Sequence, residues 1–114
     1  MPDIIKWEAK KDVDEVLDWT HSWEPRLLVN GVNVGDHVRE PDDADITKRP
    51  VIEVNPPAEG FVNDVQLIAA LTADDKTQLW FEGGSVGKHK ITASVWTVQG
   101  RRYQQVFVLT INDN

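Results

Sequence analysis

The chain contains no cysteine. That excludes a disulfide framework and any thiolate metal site, and it suits folding in a reducing compartment. No apolar run approaches the roughly 18 residues of a membrane-spanning helix. The opening MPDIIKWEAKKDVDE is too polar for a signal peptide, so a soluble chain with no membrane partner is expected. A basic excess is missing as well. Twelve Lys and Arg stand against 19 Asp and Glu, for a net charge of −7. The cations are scattered apart from Arg101 and Arg102, so direct nucleic-acid binding is not expected. Helical periodicity is almost absent. Only DVDEVLDW places apolar residues at helical spacing, with Val13, Val16 and Leu17 at i, i+3 and i+4. That window is short and flanked by charge, and an extended arm fits it equally well.

What is present reads as strands and turns. The 114 residues suit one domain, and five tryptophans are many for that length. LLVNGVNV (residues 27–34) carries Asn30-Gly31 between β-branched residues, the signal of a type I′ hairpin. PVIEV (50–54) is a short alternating strand, closed by Asn55-Pro56-Pro57, which cannot continue a ladder. VQLIAAL (65–71) reads as a buried strand or a helix turn, with the strand favoured; QLWF (78–81), KITASVWTV (90–98) and RYQQVFVLTI (102–111) are further strands, the last two joined by a tight turn at Gln99-Gly100. REPDDADITKRP (39–50) is a polar loop. Some seven short strands at intervals of about ten residues predict an all-β fold, an immunoglobulin-like β-sandwich. Residues 1–23 are expected to form an extended N-terminal arm, and residues 24–114 the sandwich.

WFEGGSVGKHK (80–90) resembles a phosphate-cradling loop and fails as one. A Walker loop needs G-x-x-x-x-G-K-[ST] and then a helix. Here Gly83 to Gly87 encloses three residues, not four, and Lys88 is followed by His89, not Ser or Thr. What comes next reads as a strand. The glycines are expected to turn the chain at a corner.

No other cluster carries chemistry. His21, His37 and His89 lack ligand spacing, and His37 and His89 are expected at the surface. Asp42, Asp43 and Asp45, and likewise Asp12, Asp14, Glu15 and Asp18, do not match a calcium loop. No nucleophile elbow is present. No catalytic residue, cofactor or metal site is assigned.

Trp80 is expected in the core. Trp96 shares a strand face with Thr92, Ser94 and Val98, opposite Ile91, Ala93 and Val95. Val106 and Val108 likewise oppose Tyr103, Phe107, Leu109 and Ile111. Apolar groups on both faces of two strands point either to a second buried surface or to central strands covered by the N-terminal arm.

KDVDEVLDW (11–19) resembles the N-terminal signature of a family of small tailed-phage virion proteins of the fiber-tail adaptor or neck-region type. Val16-Leu17-Asp18, Trp23 and Gly35-Asp36-His37-Val38 match its elements, with Trp19 where the family usually has tyrosine. LWFEGGSVGKHKITASVWTVQGRR (79–102) is similar to its C-terminal half, with Gly83, Gly84, Gly87, Gly100 and Arg101 on the family's fixed positions. The segment 24–34 is longer than usual, and His89 stands where tyrosine is usual. The resemblance implies a non-enzymatic structural protein of the bacteriophage virion, made in the host cytoplasm. It implies an adaptor at the head–tail junction or fiber attachment site, docking onto portal, neck, tail or fiber subunits as a homo-oligomer. Trp19, Trp23, Trp96 and Arg101 are the candidate protein contacts, each with a core, arm-packing or carboxylate-pairing role as its alternative. A capsid decoration or carbohydrate-binding immunoglobulin-like module is the alternative function.

Overall fold

A computed structural model describes residues 4–9 and 16–112, with side chains from residue 16 onward. Among these residues there is no α-helix, and no helix is long and apolar enough to cross a membrane. Nine strands are present where the turn spacing predicts about seven: β1 Ile4–Ala9, β2 Val16–Ser22, β3 Leu28–Val29, β4 Val32–Asn33, β5 Val51–Val54, β6 Gln66–Ala73, β7 Lys76–Glu82, β8 Gly87–Trp96 and β9 Arg102–Ile111.

They form a four-stranded sheet ordered β1-β9-β8-β5, a three-stranded sheet ordered β2-β7-β6, and the β3-β4 hairpin. The β8-β9 pair is the longest antiparallel ladder, running from Gly87 opposite Ile111 to Trp96 opposite Arg102. β1 joins β9 in parallel, with Ile4 opposite Val106 and Ala9 opposite Ile111. Residues 4–9 and 16–22 of the expected arm thus lie in strands, and residues 4–9 extend the sheet edge to edge. Val16 and Leu17 are extended in β2, while Val13 of the candidate helical window lies outside the described residues.

Alternation divides each sheet into two faces, with one break in β6 between Leu67 and Ala69. Ile91, Ala93 and Val95 of β8 and Phe107, Leu109 and Ile111 of β9 point inward, meeting Leu79 and Phe81 of β7. Trp23 and Leu27, around a 3₁₀ turn at Glu24–Leu27, complete this core. Trp23 is fully buried, and its indole N–H donates to Thr77 Oγ1 at 2.8 Å. Thr77 Oγ1 lies 2.9 Å from Thr72 Oγ1, so a large aromatic enters the core with its polar edge satisfied. Trp80 departs from the expectation. Its neighbours Leu79 and Phe81 point inward, so the period of two turns Trp80 to the outer face of the three-stranded sheet, where it is half-buried.

The Gly83–Gly87 corner is a strand connection, as its composition predicts. Gly83, Gly84 and Gly87 all have positive φ, and β8 begins at Gly87. Gly84 also sits where a Cβ would lie 2.6 Å from Ile111 Cδ1. His89 is not the surface group expected from its place beside a turn, because it is fully buried. The Val65 amide donates to its Nδ1 at 3.2 Å, so Nε2 carries the proton and donates to the Ser85 carbonyl at 2.9 Å. A buried imidazole with both nitrogens paired braces the corner from within.

Candidate docking surfaces

Three chain segments far apart in sequence meet at one end of the molecule. The first is residues 35–38, following the β3-β4 hairpin. The second is the β6-β7 turn, where Asp74 and Asp75 both adopt positive φ (53° and 60°), a conformation aspartate tolerates. The third is the β8-β9 turn at residues 97–101. Asp36 is fully buried there. Its Oδ1 accepts from its neighbour's amide, His37 N, and from Gln99 N, each at 3.0 Å. Among the described residues its Oδ2 has no hydrogen-bond partner, and Arg101 Nε stands 3.8 Å away. The Gly-Asp and Gly-Arg elements of the sequence are therefore two halves of one clasp.

Asp75, which the sequence pattern does not single out, ties the same knot from the other side. Its carboxylate accepts from Val38 N at 2.8 Å and pairs with His37 Nδ1 at 2.9 Å. Its carbonyl accepts from Trp23 N at 2.8 Å. The hydrogen bond to Asp75, and then its charge, raise the His37 pKa above the ordinary histidine value. His21 is shifted the other way, chiefly by burial, with its ring edge-on to Trp23 and Phe107.

Beyond the clasp stands the β3-β4 hairpin. Asn30 and Gly31 have φ of 51° and 79°, the type I′ turn that the Asn-Gly pair predicts. Leu28, Val29, Val32 and Val34 are all exposed, Val32 by 63%. A two-stranded ribbon has no core of its own in which to hide them. Its root is held by Asn33 Oδ1 accepting from Gly35 N, and by Gln99 Nε2 donating to the Val34 carbonyl.

The two larger sheets also leave faces open. On the outer face of the four-stranded sheet, Trp96 is half-buried, with the Arg102 guanidinium 5.0 Å and the Lys48 ammonium 5.9 Å from its ring centroid. Lys90 lies 6.0 Å from the Phe61 ring centroid. Thr92, Ser94 and Val108 on this face are nearly buried, so it is packed at its centre and charged around it. On the outer face of the three-stranded sheet lies a depression of about 200 Å³, lined by Thr20, Leu71, Ala73, Asp74, Lys76 and Gln78. Ligand pockets more often measure about 300–1,000 Å³.

The four candidate contact residues are thus scattered. Trp23 is in the core. Trp19 points inward at 5.8 Å from the Phe81 ring centroid. Trp96 is on an outer face, and Arg101, whose side chain is 34% exposed, sits at the clasp beside Asp36. Among the described residues no group of three or more His, Asp or Glu could hold a metal ion.

A family model described as podophage GP4 fiber-tail adaptor protein gp77 matches residues 11–110. No curated protein matches the chain.

Proposed function

Because the chain belongs to the podophage GP4 fiber-tail adaptor family, we propose that it is a non-enzymatic structural adaptor of the virion, joining tail-fiber subunits to neighbouring tail, neck or portal subunits by docking. The observation that carries this reading is the hairpin. Four apolar side chains stand exposed on a ribbon whose root is pinned by Asp36, Gln99 and Asn33. A rigid apolar protrusion enters a partner's groove with little loss of conformational entropy. The two packed sheets support an immunoglobulin-like arrangement, with the hairpin as an addition at one end. Trp19 and Trp23 serve the interior in this reading. Arg101 acts by holding the clasp.

The carbohydrate-binding alternative is the weaker one. Sugar stacking needs an open aromatic face, and Arg102 and Lys48 already lie over the Trp96 ring.

The test is complementation of particles that lack this protein. Wild-type protein is expected to restore fiber attachment, with density at the tail vertex in electron micrographs. Val32→Asp is expected to fold with unchanged melting and to leave particles without fibers. Fiber attachment by Val32→Asp at wild-type level would end the docking assignment, and density over the whole capsid would favour a decoration protein.

A further inference from the structure

The two larger sheets have four edge strands, and the side chains of β2, β5 and β6 are described. β2 and β5 alternate between exposed and shielded residues, as strands do when one face lies on a core. Each also carries a carboxylate, Asp18 or Glu53, and β5 lies between Pro50 and Pro56. Charges and prolines of this kind guard a free edge against further pairing. β6 has neither. Ile68, Ala69, Ala70 and Leu71 are exposed in succession, Ile68 by 47% and Leu71 by 51%, and no residue of Gln66–Ala73 is charged. Ala70 lies opposite Leu79, which points into the core, so β6 is open here on its inner face as well as its outer one. Its backbone is open too. β7 takes one side of β6, and no strand takes the other. Asp74 and Asp75 make a two-residue loop, so Ala73 and Lys76 are the hydrogen-bonded pair that closes the hairpin. Counting back by two, Leu71 and Ala69 also turn their backbone groups toward β7, and Ala70 turns its N–H and C=O to the free edge. Thr72 is buried, so the accessible stretch ends at Leu71. The bulge between Leu67 and Ala69 is the one guard in this strand, and from Ala69 onward the ladder is regular.

We propose that the free edge of β6 receives an added β-strand from a different chain, an extended apolar segment flanked by lysine or arginine. The edge itself requires a strand, because only an extended backbone meets outward N–H and C=O groups in register. The exposed run on both faces of β6 requires apolar side chains on both faces of the added strand. Charge selects the flanks. Asp64 precedes β6, Glu82 lies opposite Gln66, and Asp74 follows Ala73, against Lys76, the one cation of the β6-β7 hairpin. The same charges disfavour a second copy. Pairing β6 with β6, in either direction, sets carboxylates beside carboxylates in a chain whose net charge is already −7. On the outer face, the depression lined by Leu71, Ala73 and Asp74 lies beside the incoming strand. It seats the stem of a long cationic side chain with its charge next to a carboxylate. This site is separate from the β3-β4 hairpin that carries the adaptor reading, and the two fail independently.

The probe is a blocked synthetic peptide of alternating valine and alanine with lysine at both ends, titrated into the isotope-labelled full chain and followed by nuclear magnetic resonance. Amide shifts are expected to move along Gln66–Leu71, and the Ala70 amide is expected to exchange more slowly with solvent once the peptide is bound. The same peptide N-methylated at alternate residues keeps its apolar groups and loses its donors. It is expected to bind about tenfold more weakly, as is the peptide with glutamate at its ends. In the chain, Ala70→Pro removes the outward N–H without breaking a bond to β7. Leu71→Lys sets a cation against the lysine-flanked strand and serves where the proline variant fails to fold. Each is expected to raise the peptide Kd about tenfold or more, with Leu71→Lys melting close to wild type. Val32→Asp, which tests the β3-β4 hairpin, is expected to leave peptide binding unchanged. Shifts at that hairpin, or scattered over the surface, would overturn the proposal. So would equal binding of the N-methylated peptide, or no binding at any peptide concentration. Self-association that Ala70→Pro or Leu71→Lys abolishes would overturn it in favour of a second copy.

Discussion

The carboxylate of Asp36, fully buried, lies 3.8 Å from the Arg101 guanidinium across 65 residues of sequence. It also holds the amides of His37 and Gln99. Asp36→Ala removes both charge-assisted hydrogen bonds and is expected to cost about 2–4 kcal/mol. Arg101→Ala leaves the buried carboxylate without its cation and is expected to cost less, about 1–2 kcal/mol, because Arg101 is partly exposed. The double variant should cost less than the two together, since removing Asp36 also removes what Arg101 serves. Urea titration of the four proteins measures the coupling.

Two histidines should tilt stability in opposite directions with pH. The His37 pKa is raised by Asp75. Its contribution is therefore complete below the ordinary value of 6.5 and is lost as pH rises through the folded-state value. The His21 pKa is lowered by burial. Its contribution is present above 6.5 and is lost as pH falls through the folded-state value. Melting curves should show that His37→Gln removes part of the stability decline on the alkaline side of 6.5. His21→Gln should remove part of the decline on the acid side.

The Ser85 hydroxyl and amide both donate to Asp64, and these bonds lower its pKa. The carboxylate form is thus the one the fold favours, and its contribution fades as pH drops through the lowered value. Asp64→Asn is expected to make the acid unfolding midpoint shift less steeply with pH, read by circular dichroism. An unchanged acid limb would show that the Asp64–Ser85 contact adds nothing.

Gly83 and Gly84 should respond unequally to alanine. Both have positive φ, which costs an alanine about 1 kcal/mol. Nothing lies within 4 Å of a Cβ at Gly83. At Gly84 it would meet Ile111 Cδ1 at 2.6 Å and Val65 Cβ at 3.1 Å, both in the core. Gly84→Ala is expected to lose about 2–4 kcal/mol, and equal losses at the two positions would refute the packing role of Gly84.

Trp23→Phe keeps most of the core volume but leaves Thr77 Oγ1 without its indole donor. An expected loss of about 1–3 kcal/mol follows. Trp23→Ala, which also opens a cavity, should lose about 3–5 kcal/mol. Denaturation of the two variants separates the hydrogen bond from the volume.

Local residue preferences alone determined much of this protein. Asn30-Gly31 could make only a mirror-image turn between its β-branched neighbours, the glycines of 83–87 allowed positive φ, and the β-branched run of 90–98 and the alternation of 102–111 specified the long central ladder. These are short-range effects of sterics and period, and they need no knowledge of distant segments. Which face of a strand would be covered was another matter. Trp80 and Trp96 have equally apolar side chains to Trp23, yet they lie outward because the strand period places Phe81 and Val95 inward, against the opposing sheet. His89 read as a surface group because nothing local announces that Val65 and Ser85 will close around it. The meeting of Asp36, Asp75 and Arg101 depends on strand order and register. Those are set by the free energy of burying one shared core, which belongs to the whole chain and to no single stretch of it.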